Sequence, residues 1–364
     1  MTLPLRKTRV PGGDELRPYL EEIDSNQWYS NYGPLVSRLE EKLEAQFGVP
    51  PGCVLTVSSA TAGLQLCLRN PAYQNQEAGY CAIPGFAFPA VGCVAEASLS
   101  PPVICDVEEA TWQLQPTSLP SELIPQLDAA MPVSCFGAPL NVSGWSAFAE
   151  NSGVSVIFDA AWCFGSLIPA KQPSVVSLHA SKVLGIGEGG FVLSTDTELI
   201  RELRERANFG LGKSRLVERS AGMNAKMSEF AAAVALAALD GWPEREAAAK
   251  KLASLYLSRF SDMRKIKILP GFDGSWASAA FAVRMPADCV TRVREALAAR
   301  SIETRQWWSP QISMNPAFEG IRVADDTDIS HTLAAEVLNL PFHEYVTEEH
   351  VDIIADTVIG VVHG

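Results

Sequence analysis

Three short segments of the chain carry residue types whose order could support chemistry. The first spans residues 57–64, where an apolar run passes through Ser58, Ser59 and Thr61 into a helical pattern. Such a turn directs free backbone N–H groups and the positive end of a helix dipole at one point, which suits a phosphate group. Serine and threonine in such turns also commonly act as plain helix caps, and this segment taken alone favours a cap.

The second segment places an acid at the end of an apolar run. Residues 154–158 read VSVIF, and Asp159 follows. In open α/β sheets, ligands bind beyond the carboxyl ends of the strands, so Asp159 points toward the usual site. A buried carboxylate needs a partner such as a protonated ring nitrogen or an arginine. Capping of the next turn is the simpler alternative.

The third segment places Lys182 directly after an apolar run, at the start of a glycine-rich bend. A lysine in this position can lose enough water to act as an amine nucleophile. A solvated loop lysine is the alternative when no other feature accompanies it. Gly185, Gly187 and Gly190 also spell G-x-G-x-x-G, but a dinucleotide site requires a helix next, and the following FVLS reads as a strand.

Short β-rich runs separated by helical segments would position these residues. The predicted strands are residues 54–57, 81–83, 102–105, 131–134, 154–158, 175–179 and 191–194, and residues 35–47 have the apolar spacing of an amphipathic helix. Continuous apolar strands that alternate with helices predict a mainly parallel sheet covered on both faces.

The C-terminal third predicts a second, smaller α/β unit. Residues 228–260 read as a helix interrupted near Pro243, because proline removes a backbone donor and clashes with the preceding turn. Beyond it, residues 279–284, 289–300, 332–337 and 348–361 predict further strands and helices. We therefore expect a large α/β domain at residues 1–245 and a small one at 246–364.

Composition narrows the range of partners. The 364 residues carry a net charge of −13, which argues against electrostatic binding to nucleic acid or to an anionic membrane. The first ten residues lack the apolar core of a secretory signal, so we expect a cytoplasmic protein. The eight cysteines have no C-x-x-C pair and the five histidines are scattered, so we expect reduced core thiols and no metal site.

Ten stretches of the chain occur in the order and spacing of one enzyme family. They are GP at 33–34, SSATAGL at 58–64, PGFAFPA at 84–90, DVEEATW at 106–112, PVSCFGAP at 132–139, FDAA at 158–161, SLHASK at 177–182, GEGG at 187–190, GMNAKMSE at 222–229 and LPFH at 340–343. Together they resemble the DegT-type (DegT/DnrJ/StrS) sugar aminotransferases, a branch of the fold-type I pyridoxal-phosphate enzymes. The resemblance implies a large domain with a mainly parallel seven-stranded sheet and a smaller C-terminal α/β domain.

The resemblance also implies roles for individual residues in binding pyridoxal 5'-phosphate. Lys182 matches the lysine that forms a Schiff base with the cofactor aldehyde and moves the proton between substrate and cofactor carbons. Asp159 matches the acid that pairs with the pyridine nitrogen and keeps the ring protonated as an electron sink. Phe88 matches a ring that stacks on the cofactor, and Asn224 an asparagine that reaches the cofactor phosphate of a partner chain. The protein is therefore expected to be a homodimer with shared active sites.

Ala60 and Thr61, together with Ser177, match the phosphate-binding residues of the family. Trp162 lies near the expected position of the cofactor's ring hydroxyl, where many relatives carry glutamine or histidine; an indole donates one hydrogen bond and accepts none. The chain also departs from common family residues at Ser134 and at 307–308, where two tryptophans occur.

The activity implied by the resemblance is amino transfer in two half-reactions. Glutamate would convert the cofactor to pyridoxamine 5'-phosphate, which would then aminate a nucleoside-diphosphate keto-deoxysugar, most simply dTDP-4-keto-6-deoxyglucose, for deoxyamino-sugar or polysaccharide biosynthesis. Amination at the 3-position is the alternative. Lys213, Arg215, Lys226 and Arg305 could form a basic patch for the substrate diphosphate, or each could be an ordinary surface charge.

Three other classes of protein fit the sequence less well than this activity. A pyridoxamine-dependent sugar dehydratase has histidine in place of the lysine, so Lys182 argues against it. A non-catalytic cofactor-binding regulator would need a further module, for which the chain shows no spare segment. A nicotinamide-dependent oxidoreductase is disfavoured by the strand pattern after Gly190.

Overall fold

Helices and strands alternate along most of the chain. A computed structural model describes residues 2–68, 79–98, 100–212, 216–217, 221–261, 263–324 and 327–364. The α-helices are α1 (Gly13–Asn26), α2 (Pro34–Phe47), α3 (Ala60–Leu68), α4 (Ala90–Glu96), α5 (Val142–Ser152), α6 (Thr197–Ala207), α7 (Glu229–Asp240), α8 (Trp242–Phe260), α9 (Ala287–Ala298), α10 (Asp328–Glu336) and α11 (Glu348–His363). The strands are β1 (Val54–Val57), β2 (Tyr80–Pro84), β3 (Pro102–Cys105), β4 (Leu127–Ala130), β5 (Ser155–Val156), β6 (Phe158–Asp159), β7 (Ser174–Ser177), β8 (Gly190–Leu193), β9 (Lys267–Ile268), β10 (Phe281–Arg284), β11 (Arg322–Val323) and β12 (Val337–Leu340).

The first eight strands form two ladders, of order β3-β2-β4-β5 and β6-β7-β8-β1, which the chain between β5 and β6 joins into one main sheet. Ile157 alone separates β5 from β6, and its N–H donates to the carbonyl of Ala130 at 3.0 Å, which continues the pairing with the β4 side. All neighbours run parallel except β8, which is antiparallel to both β7 and β1. The expected mainly parallel sheet of seven strands is confirmed when β5 and β6 are counted as one interrupted strand. The short β11 extends its edge beside β3.

Burial on both faces explains why the strands read as continuous apolar runs. Every residue of β1, β7 and β8 is buried. Successive residues alternate between two apolar clusters: Leu55 and Val175 belong to one, while Val54 and Val176 belong to the other. Because side chains of a strand point alternately to opposite faces, a sheet between two apolar layers needs apolar residues at consecutive positions.

The C-terminal part contains an antiparallel sheet of order β12-β10-β9. Tyr256 of α8 stacks on Phe281 of β10 with ring centroids 4.5 Å apart, and its hydroxyl donates to the carbonyl of Pro341 at 2.6 Å. Gly241 separates α7 from α8, and Pro243 lies in the first turn of α8, where no N–H is needed. The helix interruption predicted near Pro243 is therefore confirmed. A domain boundary at residue 245 falls inside α8 and stays a proposal.

One predicted strand is misplaced. The strand at residues 131–134 is wrong: the strand lies at Leu127–Ala130. Beyond it the backbone makes single hydrogen bonds, from Met131 N–H to Ala82 at 2.8 Å and to Asp159 on either side of the Val133 bridge. Pro132 has no N–H to donate, so this buried stretch forms isolated backbone bonds rather than a regular strand.

Other features of the described chain concern its thiols and its helices. Seven of the eight cysteines are buried and Cys93 is exposed. In the parts of the chain that the structure describes, no helix combines the length and the apolar character that a membrane span needs.

Two helical glycines should respond oppositely to alanine. A Cβ at Gly63 of α3 would lie 2.9 Å from Val175 Cγ1 and 3.3 Å from Val192 Cγ2, whereas a Cβ at Gly360 of α11 would meet nothing within 4 Å. We expect Gly63→Ala to lower the free energy of unfolding by ~1–3 kcal/mol through overpacking. Gly360→Ala should raise it by ~0.5–1 kcal/mol because alanine loses less backbone entropy. Denaturant unfolding measures both, and a neutral or stabilising Gly63→Ala would contradict the close approach of α3 to the sheet.

Candidate active site

Three of the predicted site segments meet at one edge of the main sheet. Val57 at the end of β1 pairs with Gly190, and Gly190 pairs with Ser177 at the end of β7. Asp159 at the end of β6 pairs with Val175, two residues earlier on β7. Since β1, β6 and β7 share one direction, their carboxyl ends lie side by side, and the start of α3, Ser177 and Asp159 form a row along this edge.

Helix α3 begins directly above this edge. The Ser59 hydroxyl accepts a hydrogen bond from Ala62 N–H at 3.1 Å, so Ser59 caps the helix. A Cβ added to Gly190 would lie 2.9 Å from the nitrogen of Ala60 and 2.8 Å from the carbonyl oxygen of Val176, which shows how closely the helix start approaches β7 and β8. Ala60 is nearly buried and Thr61 is exposed. The first N–H groups of α3 have no partner within the helix and lie at the positive end of its dipole.

The glycine-rich bend holds the segment that carries Lys182. The carbonyl of Gly187 accepts from Ala180 N–H at 2.8 Å, and Gly187 has φ +110°, a conformation that other residues rarely adopt. The backbone N–H of His179 donates to the Ser177 hydroxyl at 3.2 Å, and the backbone carbonyl of His179 accepts from the backbone N–H of Lys182 at 2.8 Å. Gly190 then begins β8 rather than a helix, as predicted, so these glycines do not form a dinucleotide-binding turn.

The amine of Lys182 is removed from water. Its Nζ lies 3.6 Å from the centroid of the Trp162 ring, and the indole is only 7% exposed. Burial, together with the nearby charge of Arg6, lowers the pKa of Lys182 to about 7, against the opposing effect of the Asp159 carboxylate. At neutral pH a large share of the amine is therefore unprotonated and nucleophilic.

Asp159 is the buried acid of the site, 4% exposed. Burial raises its pKa, while a hydrogen bond from Ala161 N–H at 3.0 Å and the charge of Lys182 oppose the rise. Its main chain is fixed by two bonds: its N–H donates to Pro132 at 3.0 Å and its carbonyl accepts from Ser134 at 2.9 Å. Ser134, where many relatives carry histidine, is fully buried and donates its hydroxyl to a backbone carbonyl.

Sequence reasoning missed one residue of this site, Arg6. Its guanidinium carbon lies 4.7 Å from the ring centroid of Trp162 and 5.0 Å from that of Trp307, and it donates a hydrogen bond to the carbonyl of Ser181, next to Lys182. The contact joins residues 175 positions apart, so no local pattern could have shown it.

The remaining predicted residues lie further out. Phe88 follows β2 and is 52% exposed, and Asn224 is exposed beside Ala225, whose carbonyl accepts from Ser58 N–H at 2.8 Å. The roles assigned to both residues stay predictions.

Of the four basic residues proposed as a diphosphate patch, the structure describes two, and each of these has a partner of its own. Lys226 donates to Asn208 at 2.8 Å, and Arg305 lies over the ring of Trp307 at 4.9 Å. Lys213 and Arg215 lie outside the described residues.

Replacing Asp159 should change the titration of Lys182. The carboxylate favours the charged amine, so Asp159→Asn should move the Lys182 pKa below about 7, and the amine should react at lower pH. Acylation of the ligand-free protein across a pH series, quantified by mass spectrometry of the Lys182 peptide, measures the midpoint. Asp352→Asn, which removes an exposed partner of Arg259, should leave it unchanged. An unchanged or higher midpoint in Asp159→Asn would contradict the coupling.

Comparison with known proteins agrees with this arrangement. A transaminase of Escherichia coli named for dTDP-4-amino-4,6-dideoxy-D-glucose is 28% identical over 373 residues, covering 99% of this chain and 98% of its own. The UDP-2-acetamido-2-deoxy-3-oxo-D-glucuronate aminotransferase of Pseudomonas aeruginosa is 28% identical over 336 residues, covering 88% and 89%. The crystal structure of a Bacillus cereus chain described as a PLP-dependent aminotransferase superposes with a TM-score of 0.91 at 26% identity, covering 98% of this chain and 100% of that one.

The family assignment depends on the extent of the match as well as on the site. The profile of the DegT/DnrJ/EryC1/StrS aminotransferase family matches residues 12–359, a range that includes the helix start at Ala60, Asp159 and Lys182. Because the match covers most of the chain and these residues lie at one sheet edge, the chain belongs to the DegT/DnrJ/EryC1/StrS aminotransferase family.

Proposed function

We propose that this aminotransferase transfers the amino group of glutamate to the keto carbon of a nucleoside-diphosphate keto-deoxysugar. The observation that carries the proposal is the buried amine of Lys182, whose pKa is lowered to about 7, near the buried carboxylate of Asp159. The name of the Escherichia coli relative supports dTDP-4-keto-6-deoxyglucose as the acceptor, with the 4-amino-4,6-dideoxy sugar as product. At 28% identity it supports the sugar-nucleotide class more firmly than the particular sugar.

The cofactor of the enzyme is pyridoxal 5'-phosphate. The chemistry of the residues at the sheet edge fits its three functional ends: Lys182 for the aldehyde, Asp159 for the ring nitrogen, and the start of α3 with Ser177 for the phosphate. When bound, the cofactor supplies a protonated ring that draws electrons from the carbon next to the transferred nitrogen.

Lys182 and Asp159 have complementary tasks in this proposal. An amine with a pKa of about 7 takes up and releases a proton with similar ease at neutral pH, which suits Lys182 as the base and acid at the substrate carbon. Asp159, held by backbone bonds on either side, would keep a proton on the ring nitrogen. Trp162 offers an apolar surface that excludes water from the amine.

The start of α3 would bind the phosphate through the free N–H groups of Ala60 and Thr61. This arrangement uses the helix dipole and needs no basic side chain. The Ser177 hydroxyl would add a further donor, since its hydrogen bond with His179 uses it only as an acceptor.

Amination at the 3-position is the second candidate. It is favoured by the Pseudomonas aeruginosa relative, whose name specifies a 3-oxo sugar and whose identity to this chain is the same 28%. NMR of the product formed from glutamate and a panel of keto-sugar nucleotides distinguishes the two positions.

We further propose a homodimer in which Asn224 reaches the phosphate of the partner's cofactor. Asn224 is exposed, and the exposed aromatic side chains of Phe209, Tyr29 and Phe230 occur on the same chain, the last two stacked at 6.1 Å. Exposed aromatic side chains that contact one another, as Tyr29 and Phe230 do, support a surface that is covered in an assembly.

Removing the Lys182 amine should abolish turnover. The purified protein should absorb visible light, and borohydride should fix the cofactor to a single peptide that contains Lys182. Lys182→Ala should lose at least ~10³-fold in activity because the positioned nucleophile and proton carrier are gone. Activity is measured as 2-oxoglutarate formed from glutamate in the presence of the keto-sugar nucleotide.

The matched control is Lys171→Ala, a change at an exposed loop lysine, which should retain wild-type activity. Circular dichroism should show the same fold for both variants. Attachment of the cofactor elsewhere, or an active Lys182→Ala variant, would refute the assignment.

Chains inactivated at different residues should complement each other. A hybrid of one Lys182→Ala chain and one Asn224→Ala chain contains one site with both defects and one site with neither, so mixing should restore part of the activity. Tagged chains purified as confirmed hybrids are compared with each parent. Hybrids as inactive as the parents would contradict the role of Asn224 across the interface.

A further inference from the structure

The segment that carries Arg6 is fixed from two sides. Leu3 pairs with the strand-like residues after α9: its N–H donates to Ser301 at 2.8 Å, and its carbonyl accepts from Glu303 at 3.0 Å. His343 lies within hydrogen-bond distance, 3.0 Å, of the carbonyl of Pro4. From this anchored segment, Arg6 crosses to the loop of Lys182 and donates to the carbonyl of Ser181.

The guanidinium of Arg6 has unused hydrogen-bonding capacity. Nη1 bonds to Ser181, whereas Nε and Nη2 are buried and have no partner in the described structure. The rings of Trp162 and Trp307 flank the group but accept no conventional hydrogen bond. A buried donor without an acceptor is costly, and the cost is larger for a charged group. The unpaired N–H groups therefore point to an acceptor that arrives with a ligand.

The charges around Arg6 indicate the sign of that ligand. Burial lowers the pKa of Arg6 to about 10, so it stays protonated at neutral pH. It lies over the same indole ring as the Lys182 amine, and it lowers the pKa of that amine. Arg6 and Lys182 also line one cavity of about 560 Å³. The charged side chains that line this cavity are Arg6, Lys7, Arg9, Lys182 and Arg245 as cations and Glu15, Glu244 and Glu344 as carboxylates. When the lysine is protonated, the cations exceed the carboxylates, which favours an anion.

The position of Arg6 relative to Lys182 selects among anions. The amino group of a donor must reach the place of the Lys182 amine, and the α-carboxylate of an amino acid is attached to the same carbon as that amino group. A cation that shares the Trp162 ring with Lys182 is therefore within reach of this carboxylate. A keto-sugar carries no carboxylate at its reacting carbon, so the same contact distinguishes donor from acceptor.

We propose that Arg6 binds the α-carboxylate of the amino donor, and this inference rests on the proposed aminotransferase function. The planar fork of a guanidinium matches a carboxylate with two parallel hydrogen bonds, which Nε and Nη2 are free to make. Arg6 thereby sets donor specificity, while Lys182 and Asp159 serve both half-reactions.

The test uses glutarate, a dicarboxylate without an amino group, and its uncharged dimethyl ester as probes of the cofactor-loaded protein. Calorimetry should show that the wild-type protein binds glutarate and not the ester. Arg6→Met, which keeps an apolar chain against the two tryptophans, should weaken glutarate binding at least tenfold. Arg6→Lys, which keeps the charge without the fork, should fall between the two. Arg17→Met removes an exposed arginine paired with Asp14 and should leave the affinity unchanged.

Several outcomes would overturn the inference. They are equal glutarate affinity in a folded Arg6→Met variant, equal binding of ester and glutarate by the wild-type protein, and no glutarate binding at all. Loss of the cofactor from Arg6→Met on dialysis, with glutarate affinity retained, would assign Arg6 to the cofactor instead. If Arg6→Met does not fold, Arg6→Lys and the wild-type comparison of acid with ester still decide. Wild-type protein that takes up no cofactor refutes the proposed function, a result separate from all of these.

Discussion

The removal of one amine from water is the constraint on which the site depends. A lysine in solvent is almost fully protonated at neutral pH and is a poor nucleophile. Burial, with Trp162 over the amine, and the nearby charge of Arg6 together lower the pKa of Lys182 to about 7. The neighbouring carboxylate of Asp159 limits the shift, so the pKa of the amine stays near neutral pH and the amine can still be protonated. Both protonation states remain available within the pH range of the cell.

The sheet supplies the rigidity that this balance requires. Because β1, β6 and β7 run in one direction and are buried, their carboxyl ends hold the start of α3, Asp159 and Ser177 at fixed spacings. The close approach of α3 depends on Gly63 and Gly190, where a larger side chain would meet atoms within 3 Å. One sheet edge thus presents the positive end of a helix, a carboxylate and an amine, each suited to a different part of one anionic cofactor.

Local patterns were sufficient for the residues at the strand ends. The apolar runs before Asp159 and Lys182 identified buried strands, and the strand after Gly190 excluded a dinucleotide turn, because each argument depends on near neighbours in sequence. The run at residues 131–134 was misread because burial alone keeps a segment apolar, whether or not its backbone pairs. Arg6 gave no local signal at all, since its partners at Trp162, Ser181 and Trp307 are brought to it only by the folded chain.

Trp162 departs from the common family residue, and it is also the residue whose ring contacts Arg6. An indole cannot accept the hydrogen bonds that a glutamine or histidine could, but its face attracts cations, and Lys182 and Arg6 both lie over it. Each cation is stabilised by the ring and destabilised by the other, so the site without a ligand retains a repulsion that an anion between the two would relieve. The chain as a whole has a net charge of −13, which repels anions. The two neighbouring cations therefore attract anionic ligands locally, at the reacting amine.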